Sequence, residues 1–143
     1  MAKRMLDVTA SELKNYKKKE LLESIVKSEG RVMAAECIGL IMPILSDVTN
    51  AEFAAAMGAD IVLLNMFDVK KPVIQALPEV EAIDTVKELK HLTGRVIGIN
   101  LEPVEETDTL ENQGTMWEMS EGRKATVENA SIATVSYTHL TLP

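Results

Sequence analysis

The 143-residue chain has one cysteine, 3% aromatic residues and fewer bases than acids, 15 against 22, for a net charge of −7. A lone cysteine builds neither a disulfide framework nor a Cys-based zinc site, and Cys37 suits the role of a small apolar core residue. An acidic chain without a basic stripe argues against nucleic acid as a partner. The run Lys17-Lys18-Lys19 is the one basic cluster, and with Glu20 and Glu23 beside it in a helical pattern it reads as a solvated face. No apolar run approaches the roughly 18 residues of a membrane span, so no membrane partner is expected. A charged stretch from Thr9 to Lys19 stands where a signal peptide would need an apolar core, which makes the cytoplasm the expected location.

What is present divides unevenly. The last nine residues, Val135 to Pro143, read Val-Ser-Tyr-Thr-His-Leu-Thr-Leu-Pro. They translate GTC TCT TAT ACA CAT CTG ACG CTG CCG, which resembles a transposase adapter used in shotgun sequencing. The bases that precede it in the adapter restrict the codon before to Ser, Pro, Thr or Ala, and position 134 is Thr. The expected organisation is a helical lead-in at 1–30, the truncated opening of a larger fold at 31–134, and a non-native tail at 135–143 in which His139 has no role.

Thr9-Ala10-Ser11-Glu12 has the form of a capping box, and Leu13, Tyr16, Leu21, Leu22, Ile25 and Val26 predict one interrupted or two short helices before a stop at Gly30. Val32 to Ile38 is a nearly continuous apolar run of strand length with one acid, Glu36, and reads as a strand covered on both faces. Thr49-Asn50-Ala51-Glu52 is a second capping box, opening a short helix that closes at Gly58. Ile61-Val62-Leu63-Leu64 is a second strand ending at Asn65, with Asp68 in the turn beyond. Ile83, Val86, Leu89 and Leu92 share one face of a helix from Ala82 to Leu92 that stops at Gly94, and Val96 to Ile99 is a third strand, followed by Asn100-Leu101-Glu102-Pro103. Covered strands separated by helices predict a parallel α/β sheet of βαβ units. No Gly-rich phosphate fingerprint follows a strand, which counts against a dinucleotide-binding sheet. The irregular stretch from Val104 to Gly122, carrying Met116, Trp117 and Met119, has the length of an active-site lid. A further helix starts near Thr126.

The words Ser28-Glu29-Gly30-Arg31, Val48-Thr49-Asn50-Ala51-Glu52, Gly58-Ala59-Asp60-Ile61-Val62-Leu63-Leu64-Asn65, Asn100-Leu101-Glu102-Pro103 and Ser120-Glu121-Gly122-Arg123 together resemble a bacterial TIM-barrel family of unknown function. Its members often carry the label haloacid dehalogenase-like hydrolase or phosphoenolpyruvate phosphonomutase-like protein. The resemblance runs from Thr9 to Ala133 and implies about three βα units of a TIM (β/α)₈ barrel. The hydrolase label requires an Asp-x-Asp nucleophile motif, and no Asp-x-Asp occurs in the chain. The mutase label implies two acids at i and i+2 where the third strand ends, holding Mg²⁺; Asn100 and Glu102 occupy those places, with Asn in place of one acid.

In a barrel the chemistry lies at the C-terminal strand ends. The candidates are therefore Glu36 and Glu102 as catalytic carboxylates, Asn65, Asp68, Asn100 and Arg123 as substrate contacts, and Glu102 with Asn100 as ligands of Mg²⁺. An acid in a run closed to water must be paired, metal-bound or protonated, so Glu36 is either functional or bridged to an arginine such as Arg31 or Arg95. Asn65 and Asp68 also suit turn formation, Arg123 a solvated loop, and His91 the C-terminal end of a helix dipole. The leading expectation is part of a lyase- or mutase-like enzyme acting on a small anionic or phosphorylated metabolite, from a parent that could be a homo-oligomer. The rival is a non-catalytic metabolite-binding or regulatory barrel, and the fragment itself is expected to be inactive.

Overall fold

The two capping boxes form as read, because each satisfies two backbone donors that a helix start leaves open. Thr9 and Glu12 cap α1 (Ala10–Leu13), and Thr49 and Glu52 cap α3 (Asn50–Ala56). The computed structural model describes residues 2–104, 114–115 and 118–137. Between these caps the lead-in is two helices, α1 and α2 (Lys18–Lys27), and the chain leaves α2 through Glu29 and Gly30, both at positive φ. Lys17, Lys18 and Lys19 are exposed, as a solvated face requires.

Three strands follow in order: β1 (Ala34–Ile38), β2 (Ile61–Asn65) and β3 (Val96–Ile99). They form one parallel sheet in the order β1-β2-β3, with Glu36 level with Leu63 and Leu63 level with Gly98. Crossovers are made by α3 and by α4 (Thr85–Thr93), which is preceded by a 3-10 turn at Ala82–Asp84; α5 (Val127–Tyr137) follows β3. Gly94 ends α4 in the left-handed conformation at φ 62, the geometry that favours glycine there.

Alternation divides the strand residues between two faces. Val62, Leu64 and Ile97 are buried with Val86 and Leu89 of α4 and Ala51 of α3, and Cys37 and Ile99 pack against this core. The thiol of Cys37 is half-buried, and burial, with the neighbouring Glu36 charge second, pushes its pKa up. A second cluster of Met5, Leu13, Leu21 and Val96 fixes the lead-in helices against the N-terminal ends of the strands.

The opposite sheet face corrects one expectation. β1 is not covered on both sides: Ala34 and Glu36 are exposed, because among the described residues no layer packs over that face. Leu63 instead leans across Gly98, where an added Cβ would lie 2.6 Å from Leu63 Cδ2, so glycine in this strand makes room for a neighbouring side chain. The expected boundary at 135 falls within α5, which runs on to Tyr137, and residues 138–143 lie outside those described.

Candidate functional site

Parallel pairing brings the C-terminal strand ends to one edge, and three polar side chains meet there. Asn65 Nδ2 donates to Glu36 Oε1 at 2.5 Å, and Asn100 Nδ2 donates to Asn65 Oδ1 at 3.1 Å. One hydrogen-bonded chain therefore spans β1, β2 and β3. The register explains it: Asn65 is level with Ile38, two residues beyond Glu36, and the Asn100 backbone N–H donates to the carbonyl of Leu64 at 2.9 Å. Asn65 Oδ1 also accepts from the N–H of Met66 at 2.8 Å. Met66 is buried and sits at φ 54, a left-handed conformation that a non-glycine residue holds only where its surroundings enforce it, and such strain gathers at functional sites.

Glu36 thus differs from its expectation in environment. It is exposed and bonded to an amide, so neither Arg31 nor Arg95 neutralises it; Arg31 pairs with Glu29 at 3.3 Å. Water on the open face solvates its charge, and no buried ion pair is needed.

Glu102 turns to a different partner. Arg123 Nη2 and Nε donate to Glu102 Oε1 at 2.8 and 3.2 Å, and Arg123 Nη1 donates to the carbonyl of Glu118 at 3.0 Å. The Arg123 side chain is 6% exposed and that of Glu102 26%. Arg123 is accordingly not a solvated loop residue, because its guanidinium is held inside the fold by Glu102 and the Glu118 carbonyl. The backbone repeats the contact: Glu102 bridges Lys124 in parallel fashion, through Glu102 N to Arg123 O at 2.9 Å and Ala125 N to Glu102 O at 2.8 Å.

Asp68 forms a turn. Its Oδ1 accepts from the N–H groups of Lys70 and Lys71 at 2.7 and 2.9 Å. Burial works to raise its pKa, while the nearby Ser120 hydroxyl and the two N–H groups lower it, and the lowering wins. Ser120 Oγ makes no hydrogen bond of good geometry, so the two backbone donors, with the Lys71 charge behind them, carry the effect. Gly122 closes on this turn: a Cβ there would lie 1.7 Å from Asp68 Oδ1.

Two features escape a reading of the sequence. Asn129 is buried, and its Nδ2 donates to the carbonyls of Glu121 and Lys124 at 2.7 and 2.8 Å, clamping the segment that carries Arg123. Its only local signal is Thr126, whose Oγ1 accepts from the Asn129 N–H at 3.1 Å. The other is the strained Met66. Met119 is half-buried, Met116 and Trp117 of the expected lid lie outside the described residues, and His91 is exposed beside Glu88 at 3.5 Å.

As a Mg²⁺ ligand pair, Asn100 and Glu102 fit in part. Among the described residues nothing bonds Asn100 Oδ1 or Glu102 Oε2, but the guanidinium of Arg123 offsets the Glu102 charge that would attract a cation. Among the described residues no three His, Cys, Asp or Glu side chains are grouped as metal ligands. Mg²⁺ needs only one or two carboxylates with water and substrate oxygens, and Glu36 offers one that faces solvent.

These observations define an α/β protein with a three-stranded parallel sheet and a polar ladder across its C-terminal strand ends. The chain belongs to a family described as a domain of unknown function, DUF7916, whose model matches residues 6–141. No curated protein and no solved structure matches it. No helix among the described residues is long and apolar enough to cross a membrane.

Proposed function

We propose that this sheet is the opening of a TIM-type barrel and that the Glu36–Asn65–Asn100 ladder is part of a lyase- or mutase-like active site for a small anionic or phosphorylated metabolite. The ladder carries the reading, because it sets a solvent-facing carboxylate and two amides on neighbouring strands at the edge where barrel chemistry occurs. Amides are suited to orienting substrate hydroxyl and carbonyl groups without adding charge, and Glu36 is the one group of the three able to take a proton. The step from fold to reaction is analogy. Bound Mg²⁺ would polarise a substrate carboxylate or enolate. Asn100 with Glu36 or Glu102 would hold it, and Arg123 keeps Glu102 the weaker choice.

The test is a Mn²⁺ titration of the full chain followed by water-proton relaxation, with oxalate as an enolate-like probe. Binding of Mn²⁺ that oxalate strengthens, lost in Glu36→Gln and retained in Glu102→Gln, is the expected result. Loss in Glu102→Gln alone would move the metal to the Asn100/Glu102 pair. Absence of binding by the unaltered chain, or binding that neither substitution changes, would remove the proposed site.

A further inference from the structure

At the end of the sheet opposite the ladder, α1 and α4 enclose a cleft of about 570 Å³. This lies within the roughly 300–1,000 Å³ of small-molecule sites. Its apolar lining includes Leu13, Leu21, Val86, Val96 and Ile97, all buried. Gly94 keeps the two walls close: a Cβ there would lie 2.7 Å from that of Ala10.

The charged groups around this apolar lining are unbalanced. Lys14, Lys90 and Arg95 line the cleft, and none has a salt-bridge partner among the described residues. The cleft's other bases are engaged, Lys87 with Asp84 at 3.0 Å and His91 with Glu88 at 3.5 Å, and Glu88 is its one acid. Arg95 Nε is buried without a hydrogen-bond partner, a donor that folding leaves unsatisfied. Burial first, and the Lys14 charge second, lower the pKa of Lys90. Three uncompensated cations around one apolar cleft, in a chain of net charge −7, form a local field opposite to that of the whole molecule.

We propose that this cleft binds a free amphiphilic anion, an apolar chain or ring carrying one carboxylate or phosphate. The apolar body occupies the space beside Leu13, Val86 and Val96, and the head group takes hydrogen bonds from Arg95, Lys90 and Lys14. A guanidinium with an unpaired N–H is suited to a planar or tetrahedral oxyanion. A cationic amphiphile of the same length would be repelled by the three cations, and an uncharged one would offer a hydroxyl oxygen without the charge that strengthens the bond. The site is separate from the strand-end ladder, so its test stands apart from the test above.

Decanoate below its micellar concentration is the probe, titrated calorimetrically into the full chain beside decanol and decyltrimethylammonium. Decanoate is expected to bind and both comparison compounds to bind at least about tenfold more weakly, the scale of one lost charged hydrogen bond. Lys14→Glu, at the exposed residue that ends α1, and Arg95→Gln should each weaken decanoate by about tenfold or more. Thermal melts of both variants establish that they are folded. Equal binding of the three compounds, or unchanged decanoate affinity in both folded variants, would overturn the proposal. So would retention on phosphatidylglycerol vesicles without decanoate binding, which would make the site a contact for a lipid surface.

Discussion

Asn65 is bonded on both sides: its amide nitrogen donates to Glu36 Oε1 at 2.5 Å, and its oxygen accepts from Asn100 and from the backbone of Met66. An amide can do this because it carries donors and acceptors together, whereas a carboxylate only accepts. Asn65→Asp should therefore set two carboxylates against each other, so that one of the pair titrates above the usual carboxylate range of about 4. Carbon-detected NMR titration of the side-chain carboxyls reads this. If both groups in the variant titrate as isolated acids, the ladder is looser in solution than its geometry indicates. Asn65→Leu should shift the amide resonance of Met66 in the same spectra, because that N–H loses its acceptor.

The Glu102–Arg123 pair makes a prediction about folding. Removing Glu102 leaves a guanidinium that is 6% exposed with, among the described residues, only the Glu118 carbonyl as a partner. Glu102→Ala should cost about 3 kcal/mol, the scale for breaking a buried pair. Replacing both, Glu102→Leu with Arg123→Met, should recover a large part of that loss, because no charge then remains buried. Urea unfolding of Glu102→Leu, of Arg123→Met and of the double variant gives the coupling directly. Additive losses would mean that the two side chains do not act as a pair.

Asp68 makes the fold sensitive to acid at one identifiable place. Its folded pKa is held below the ordinary value, so its contribution is fully present above the unfolded pKa of about 4 and is lost as pH falls below it, through the folded pKa. Stability should decline from about pH 4 downward less steeply in Asp68→Asn than in the unaltered chain. Equal slopes in urea melts across this range would show that Asp68 is not the group responsible.

Gly122 lies against that same turn. Any Cβ would overlap Asp68 Oδ1, and the Lys70 backbone N lies 2.9 Å from the same point, so the turn rather than one flexible side-chain tip would have to move. Gly122→Ala should destabilise by about 1–3 kcal/mol, the cost of overpacking. Gly98→Ala should cost less, because its obstacle is the end of the Leu63 side chain, which can rotate on the open face. Thermal melts of the two variants rank them, and the reverse order would contradict the packing described.

The elements were legible because their signals are local. Both capping boxes, the apolar runs of β1, β2 and β3, and Gly94 after α4 each depend on residues within a few positions of one another. Parallel order then followed from the strand–helix alternation, and with it the meeting of Asn65 and Asn100. What escaped depends on partners that no local pattern announces. Arg123 is buried by a carboxylate twenty-one residues away, Asn129 by two carbonyls of an irregular segment, and Gly122 is fixed by a turn that begins at Asp68. Glu36 was misread for a related reason: an apolar run shows what a strand could bury, while exposure depends on whether another layer reaches it.

That uncovered layer supports a last prediction. Among the described residues β1 and β3 are edge strands, and the face bearing Glu36 and Leu63 has no second layer. Beside it, the segment after β1 exposes Leu40, Ile41, Met42, Ile44 and Leu45, with Met42 and Ile44 at 71% and 72%. Open edges offer unpaired N–H and C=O groups to another chain, and contiguous exposed apolar residues add a driving force of about 25 cal/mol per Å² covered. Several such side chains together reach a few kcal/mol, a sizeable part of the 5–15 kcal/mol by which a domain is stable. The chain should therefore self-associate as its concentration rises. Sedimentation velocity across a hundredfold concentration range should show mass increasing, and Met42→Lys with Ile44→Lys should lower the association without lowering the melting temperature of the dilute chain. A single monomeric species throughout, with a sharp transition at a constant temperature, would show that three parallel strands and their helices are sufficient alone.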